Sequence, residues 1–353
     1  MSKSSVPVVH LEGGPTMIVG STGFIGRFVA EACLESGLIP TYLLVRPSPN
    51  SPPSKAATIN FLQNKGATII HGCIKDQKLM EKILKEYKIE VVISTIGGGG
   101  ILDQLILVDA IKAVGTVKRF LPSEFGHDVD RADPVEPGLG MYIEKRRVRR
   151  AVEEAGIPYT YICCNSIVAW PYHHNTHPAD LLPPLDEFLI YGDGTVKAYF
   201  VAGCDIGKFT IKAMNDVRTV KKGVHFRPPS NLFNINDLAS LWETKIGRTL
   251  PRIVMTEDDL LTAAKVLPVP ANIVASFTHD IFIKGCQISY SLDKPSDEEV
   301  CALYPETPFQ SIDRCFDEFV SKILANKATP NPTGKDGVLV VTPPEPRRQV
   351  ITA

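Results

Sequence analysis

The sequence lacks the features that would place it in several classes of protein. No stretch reaches the roughly 20 consecutive apolar residues that a membrane span requires, and Met1–Pro15 has no apolar run long enough for a signal-peptide core. Excess charge of either sign is also missing. The 38 Lys and Arg residues against 39 Asp and Glu leave a formal charge of −1, which removes the electrostatic basis for nucleic acid or an anionic membrane as partner. The eight cysteines (33, 73, 163, 164, 204, 286, 301 and 315) contain no CxxC spacing, so neither a disulfide framework nor a zinc site is expected. His173, His174 and His177 cluster in a Pro-rich stretch with no carboxylate pattern to support a metal, and no metal is expected there. Internal repeats are absent. The expectation is a cytoplasmic protein with mostly buried free thiols; nothing in the composition fixes an oligomeric state.

What is present is a regular alternation. Apolar runs at Thr16–Gly20, Thr41–Val45, Ala67–His71, Glu90–Thr95 and Val117–Leu121 read as strands. Amphipathic runs at Ile25–Ser36, Lys55–Asn64, Gln77–Lys88 and Leu102–Val114 read as helices between them, and a helix over Met141–Ala155 and a strand over Tyr159–Cys163 follow. This rhythm predicts βαβ crossovers and an α/β fold built on a doubly wound parallel Rossmann sheet. After Asn165 the rhythm breaks. Trp170–Leu185 reads as a loop, Ile190–Gly203 as a β segment, and helices are expected at Asp205–Met214, Asn236–Ile246, Thr256–Lys265, Pro270–Ile283 and Pro308–Leu324. Residues 14–165 are thus expected to form the dinucleotide-binding domain, to which some later segments return. Residues 166–325 are expected to form a smaller αβ substrate-binding portion, and 326–353 a flexible Pro/Gly-rich tail.

The first apolar run leads into Gly20-Ser21-Thr22-Gly23-Phe24-Ile25-Gly26, which opens a helix. Such a turn aims backbone N–H groups and a helix N-terminus at a pyrophosphate, and side chains at the glycine positions would obstruct it. A dinucleotide binder that prefers NAD places a carboxylate at the end of the second strand. Here Arg46 stands there, with Lys55 shortly after, and cations suit the 2′-phosphate of NADPH. The Thr95–Gly100 run, four glycines after the fourth strand, falls where the chain passes beneath the nicotinamide.

The chemical centre is expected on the Met141–Ala155 helix. At about 100° per residue, Met141, Val148, Val152 and Ala155 form an apolar stripe that takes in Lys145 and has Arg149 at its edge, with Arg146, Arg147 and Arg150 facing away. Two inward cations four residues apart repel each other and need an anion, which the ribose and phosphates of NADPH could supply. Partial burial would lower the Lys145 pKa and make the amine a usable base. Short-chain dehydrogenases commonly pair such a Lys with a Tyr four residues earlier; here that position is Met141, and Tyr142 is expected on another side of the helix. His127, in the loop after the fifth strand, is the candidate proton donor. His279 is a candidate for lining the pocket, together with Met141 and Tyr142.

These residues resemble the plant family of atypical short-chain reductases that includes isoflavone reductase, phenylcoumaran benzylic ether reductase and pinoresinol–lariciresinol reductase. The likeness covers about residues 14–325 and rests on Arg119–Leu139, Ile162–Ile167 and Thr278–Gln287. The last two are most similar to the branch that reduces flavan-3,4-diols. The resemblance implies NADPH, a small-molecule flavonoid substrate, cofactor contacts at Gly20–Gly26, Arg46, Lys55 and Arg149, and a catalytic Lys145. It also implies reduction of a flavan-3,4-diol to a flavan-3-ol: Lys145, or a proton network it organises, deprotonates a phenol, His127 or a bound water protonates the departing C4 hydroxyl, and hydride reaches C4 of a quinone methide. The alternatives are an isoflavone or benzylic-ether lignan reductase of the same family and, more remotely, a non-catalytic NmrA-like dinucleotide sensor.

Overall fold

The computed structural model describes residues 13–37, 39–47, 52–168, 185–328 and 350–351. His173, His174, His177, nearly all of the 170–185 stretch and most of the tail lie outside the described residues. In the first half the elements are β1 (Thr16–Val19), α1 (Phe24–Glu35), β2 (Thr41–Val45), α2 (Pro53–Asn64), β3 (Thr68–His71), α3 (Gln77–Glu86), β4 (Val91–Ser94), α4 (Gln104–Val114), β5 (Arg119–Leu121), α5 (Gly138–Glu154) and β6 (Thr160–Cys163). The second half continues with β7 (Ser166–Val168), β8 (Phe188–Tyr191), β9 (Lys197–Ala202), α6 (Gly203–Met214), β10 (Lys222–His225), β11 (Leu232–Asn234), α7 (Ile235–Ile246) and β12 (Arg252–Met255). It ends with α8 (Glu257–Val266), α9 (Ala271–Phe282), β13 (Asp297–Glu299), α10 (Val300–Leu303), α11 (Ile312–Ala328) and β14 (Val350–Ile351).

Strands β3-β2-β1-β4-β5 form a parallel sheet in that order. β1 lies between β2 and β4 in a register that pairs Val19 with both Leu44 and Ser94. All four residues of β1 and of β4 are buried, as an unbroken apolar run between two helical layers requires. A parallel bridge from Phe120 to Tyr159 carries the sheet on to β6, which pairs in parallel with β10, and β10 with β13. Segments far along the chain therefore return to the sheet. Their identity as strands is hidden in sequence, because β10 and β13 are only four and three residues long and carry polar side chains at their edges.

One core lies under the first face, where Ile18, Leu43, Ile93 and Leu121 meet Phe209, Val224 and Phe226 from later in the chain. The opposite face packs Met17, Leu44, Val92 and Phe120 against Val148 and Val152 of α5. α6 crowds α1 so closely that a Cβ on Gly207 would stand 2.2 Å from the Phe28 carbonyl oxygen. A third core, around Phe188, Phe200, Trp242, Phe282 and Phe316, is covered by two short sheets, β11-β9-β7 and β14-β12-β8. Among the described residues no helix is long and apolar enough to cross a membrane. The cysteines are free; five are buried, Cys73 and Cys301 half-buried and Cys204 exposed.

Candidate active site

The carboxyl ends of β1, β4 and β5 open onto a cleft of about 570 Å³, closed on the far side by α9, β7 and β9. This is where a doubly wound sheet presents its ligand site. At its base the chain turns from β1 into α1. Gly20 takes φ +85°, and a Cβ on Gly26 would meet the Gly20 carbonyl oxygen at 2.2 Å, so the first turn of α1 sits directly on the strand end. Gly23 caps α1 with no side-chain hydrogen bond, and the first turn carries no acid. The first-turn N–H groups thus have no acidic side chain of their own helix to meet, and the buried hydroxyl of Ser21 has no partner among the described residues. An uncapped helix end, a cradle that a Cβ would fill and an unpartnered hydroxyl fit a pyrophosphate. Gly23, Phe24 and Ile25 line the cleft, as do Thr95 and Gly97–Gly99 from the end of β4.

The Ser21–Thr22 turn and Arg46 lie at the same sheet edge, since the register brings Val19 level with Leu44. Arg46 is exposed at the end of β2 and Lys55 half-buried in the first turn of α2. Neither has a carboxylate partner among the described residues, and neither lines the cleft proper.

α5 supplies the opposite wall. Lys145 is 8% exposed, lines the cleft and donates from Nζ to the Glu124 carbonyl oxygen at 2.6 Å. Burial pulls its ammonium pKa below 10.5, against the pull of the Glu124 carboxylate. Met141 and Tyr142 both line the cleft beside it. Tyr142 does not point away as expected: three residues before Lys145, it lies only about 60° from it around the helix. It is buried, stacked on Phe277 at 5.0 Å between ring centroids, with its hydroxyl 2.5 Å from His127 Nδ1. Burial raises the Tyr142 pKa well above 10.

His127 is buried in the cleft wall. Burial, and then the nearby Lys145 charge, lower its pKa to about 4. A neutral imidazole therefore faces the site at neutral pH, which does not suit the expected role of spare-proton carrier. Gln287 closes the other side of the ring, with Nε2 3.1 Å from His127 Nε2 and 2.6 Å from Ser166 Oγ. Its Oε1 accepts the backbone N–H of Tyr199 at 2.7 Å. Gln287, Ser166 and Phe277 carry no signal in sequence as single residues: none titrates near neutral pH, and only the fold brings them to His127.

Two expected residues lie elsewhere. Arg149 does not reach the cleft. Its guanidinium meets Glu124 twice at 3.0 Å, Asp128 at 2.8 Å and Asp130 at 3.0 Å. Burial opposes its charge, but these carboxylates hold its pKa well above the ordinary guanidinium value. The anion that the two inward cations of α5 call for is thus supplied by the protein itself. His279 is buried in α9 with Nε2 2.9 Å from Glu257 and is not among the cleft-lining residues. Arg146 was expected on a solvated face; instead it donates to the carbonyls of Val129 and Ala132 at 2.6 and 2.7 Å and ties α5 to the preceding loop. Behind Arg149, ligand atoms of Asp128, Cys163 and His225 converge within 4.8 Å, but the carboxylate of Asp128 is already engaged by Arg149 and Arg131.

The NmrA-like family model matches residues 15–319. A leucoanthocyanidin reductase of Desmodium uncinatum is 61% identical over 89% of this chain and 82% of its own length. A phenylcoumaran benzylic ether reductase of Ginkgo biloba is 42% identical over 86% of this chain and 98% of its own. Among solved structures, the binary complex of leucoanthocyanidin reductase with NADPH from Vitis vinifera superposes with a TM-score of 0.83 at 62% identity, covering 88% of this chain and 100% of that one.

Proposed function

The chain belongs to the NmrA-like family, and from that premise we propose that it is an NADPH-dependent reductase converting a flavan-3,4-diol to a flavan-3-ol. The observation that carries the reading is Lys145: a buried amine with a depressed pKa, on the wall of a cleft whose floor is a glycine turn built for a dinucleotide. A non-catalytic dinucleotide sensor would have no use for such an amine. Relatives are named for a leucoanthocyanidin and for a phenylcoumaran benzylic ether, and the apolar wall of Ile273, Phe277 and Ile281 suits flat aromatic substrates of that kind.

Gly20–Gly26 would hold the pyrophosphate, Arg46 and Lys55 the 2′-phosphate, and Gly97–Gly99 the nicotinamide end. Bound NADPH supplies the hydride. Lys145, in its neutral form, takes the proton from an A-ring phenol conjugated with C4. The electron pair released through the ring expels the C4 oxygen, which leaves as water after taking a proton from the His127–Tyr142 side, and the substrate becomes a quinone methide. Once C4 has received hydride, the ring is a phenolate that recovers its proton from the Lys145 ammonium. One proton from solvent is consumed per turnover.

The test is steady-state turnover of leucocyanidin with NADPH and chromatography of the product, run beside an isoflavone and a phenylcoumaran. Lys145→Met should cut kcat by about 10²–10⁴-fold while NADPH binding, read by fluorescence titration, stays within a few-fold. A diol methylated at the conjugated phenol should be inert. Substantial turnover by Lys145→Met would remove the basis of the mechanism, and a preference for the isoflavone or the phenylcoumaran would move the chain to another branch of the family.

A further inference from the structure

Gln287 stands behind the cleft wall, and the backbone fixes the orientation of its amide. Its Oε1 accepts from the Tyr199 N–H at 2.7 Å. Flipping the amide would set two donors against each other there, so Nε2 must face the other way. It offers one N–H to Ser166 Oγ at 2.6 Å and the other to His127 Nε2 at 3.1 Å. A ring nitrogen that accepts cannot carry a proton. His127 Nε2 is therefore bare, and the neutral ring carries its hydrogen on Nδ1, 2.5 Å from the Tyr142 hydroxyl oxygen. The Tyr142 oxygen then receives a hydrogen bond from behind, and its own hydrogen is free to turn toward the cleft that it lines.

We infer that Gln287 is a positioning residue that locks His127 in the Nδ1–H tautomer and so presents the Tyr142 hydroxyl to the substrate as the hydrogen-bond donor for the departing oxygen. The inference rests on the proposed reaction and deepens it by assigning the donor side. In the step, the C4–O bond breaks with its electron pair on oxygen, and that oxygen takes the Tyr142 hydroxyl proton and leaves as water. The tyrosinate oxygen is held by the His127 Nδ1–H and is reprotonated from solvent before the next turnover. His127 keeps its proton throughout. An imidazolium would need a proton on Nε2, where the Gln287 N–H already points. The direction of transfer is sound even for a high-pKa phenol, because hydroxide is the far stronger base. Among the described residues, the titratable groups that face the ring are Tyr142 and Lys145, both on α5; Phe277 of α9 and Ser166 of β7 add no charge.

The lock is tested on the full-length protein by the imidazole ¹⁵N and ¹³C shifts of labelled histidine, with the His127 signals identified by their loss in His127→Gln. The wild type should show His127 as the neutral Nδ1–H tautomer at pH 7, with and without NADPH. Gln287→Glu replaces the donor with an acceptor. The neutral ring should then carry its hydrogen on Nε2, and its pKa should climb by two or more units from about 4. Tyr142 would turn its hydrogen inward, so kcat should fall as pH rises through the new ionisation and recover on the acid side, with KM for NADPH unchanged. Gln287→Leu removes the lock without imposing the opposite one and should lower kcat about 10-fold, the worth of roughly one hydrogen bond, with no new limb in the profile. An Nε2–H tautomer in the wild type would overturn the inference, as would a Gln287→Glu pH profile that matches the wild type. The tautomer readout needs no turnover, so failure of the proposed reaction and failure of the lock are seen separately.

Discussion

Glu124 faces two ways. Its backbone carbonyl receives Lys145 Nζ at 2.6 Å, and its carboxylate grips Arg149 through two hydrogen bonds of 3.0 Å. Arg149 therefore acts on the site at one remove, by fixing the loop that holds the catalytic amine. Replacing it with Met would leave Glu124 and Asp128 buried without their main counter-charge, a loss on the order of 3–5 kcal/mol. Arg149→Met should thus lower Tm by about 4–7 °C and depress kcat at temperatures where the protein is still folded, while the Kd for NADPH changes little. A direct cofactor contact would give the opposite pattern, with the largest change in Kd. Sequence alone could show that Lys145 and Arg149 both point inward, because helical periodicity reports direction. It could not show which of them is neutralised from within, because Glu124, Asp128 and Asp130 sit in an aperiodic loop whose path only the fold determines.

At the scale of elements, two close approaches involving α1 separate binding from stability. Gly26 brings the first turn of α1 onto the end of β1, where an added Cβ would lie 2.2 Å from the Gly20 carbonyl oxygen. Gly207 brings α6 onto the middle of α1, where a Cβ would lie 2.2 Å from the Phe28 carbonyl oxygen. Both clashes are with backbone and force a shift. Gly26→Ala displaces the N–H groups that meet the pyrophosphate and should weaken NADPH binding by 10-fold or more. Gly207→Ala acts away from the cleft and should lower Tm with little change in Kd for the folded protein. Titration of NADPH fluorescence beside thermal melts separates the two. The Gly20–Gly26 turn was legible because an apolar strand, three spaced glycines and an amphipathic helix follow each other in sequence. The α6–α1 packing was not, since it joins residues about 180 positions apart, and β10 and β13 were hidden for the same reason: their place in the sheet comes from neighbours and not from their own pattern.

For the whole molecule, the buried histidines set the response to acid. His127 has a pKa of about 4 when folded against 6.5 for a solvated imidazole, and burial lowers His225 in the same direction. A pKa depressed by folding means that the unfolded chain binds more protons between pH 6.5 and 4, so stability is fully present above 6.5 and drains away as pH falls through that window. The span of 2.5 units (6.5 minus 4) at about 1.4 kcal/mol per unit amounts to roughly 3–4 kcal/mol for His127 alone. Lys145 contributes in the alkaline range with the same sign: its folded pKa lies below 10.5, so its penalty is felt at neutral pH and lifts as pH rises toward that value. Asp128, held low despite its burial by Arg149 and His225, adds its loss only in stronger acid. Urea denaturation at pH 7, 6, 5 and 4.5 should therefore show a stability that falls most steeply between 6 and 4.5. His127→Asn and His225→Asn should each start from a lower stability at pH 7 but lose less of it on acidification, because the group that takes up the proton on unfolding is gone. A wild-type slope left unchanged in both variants would mean that the acid response belongs to the carboxylates instead.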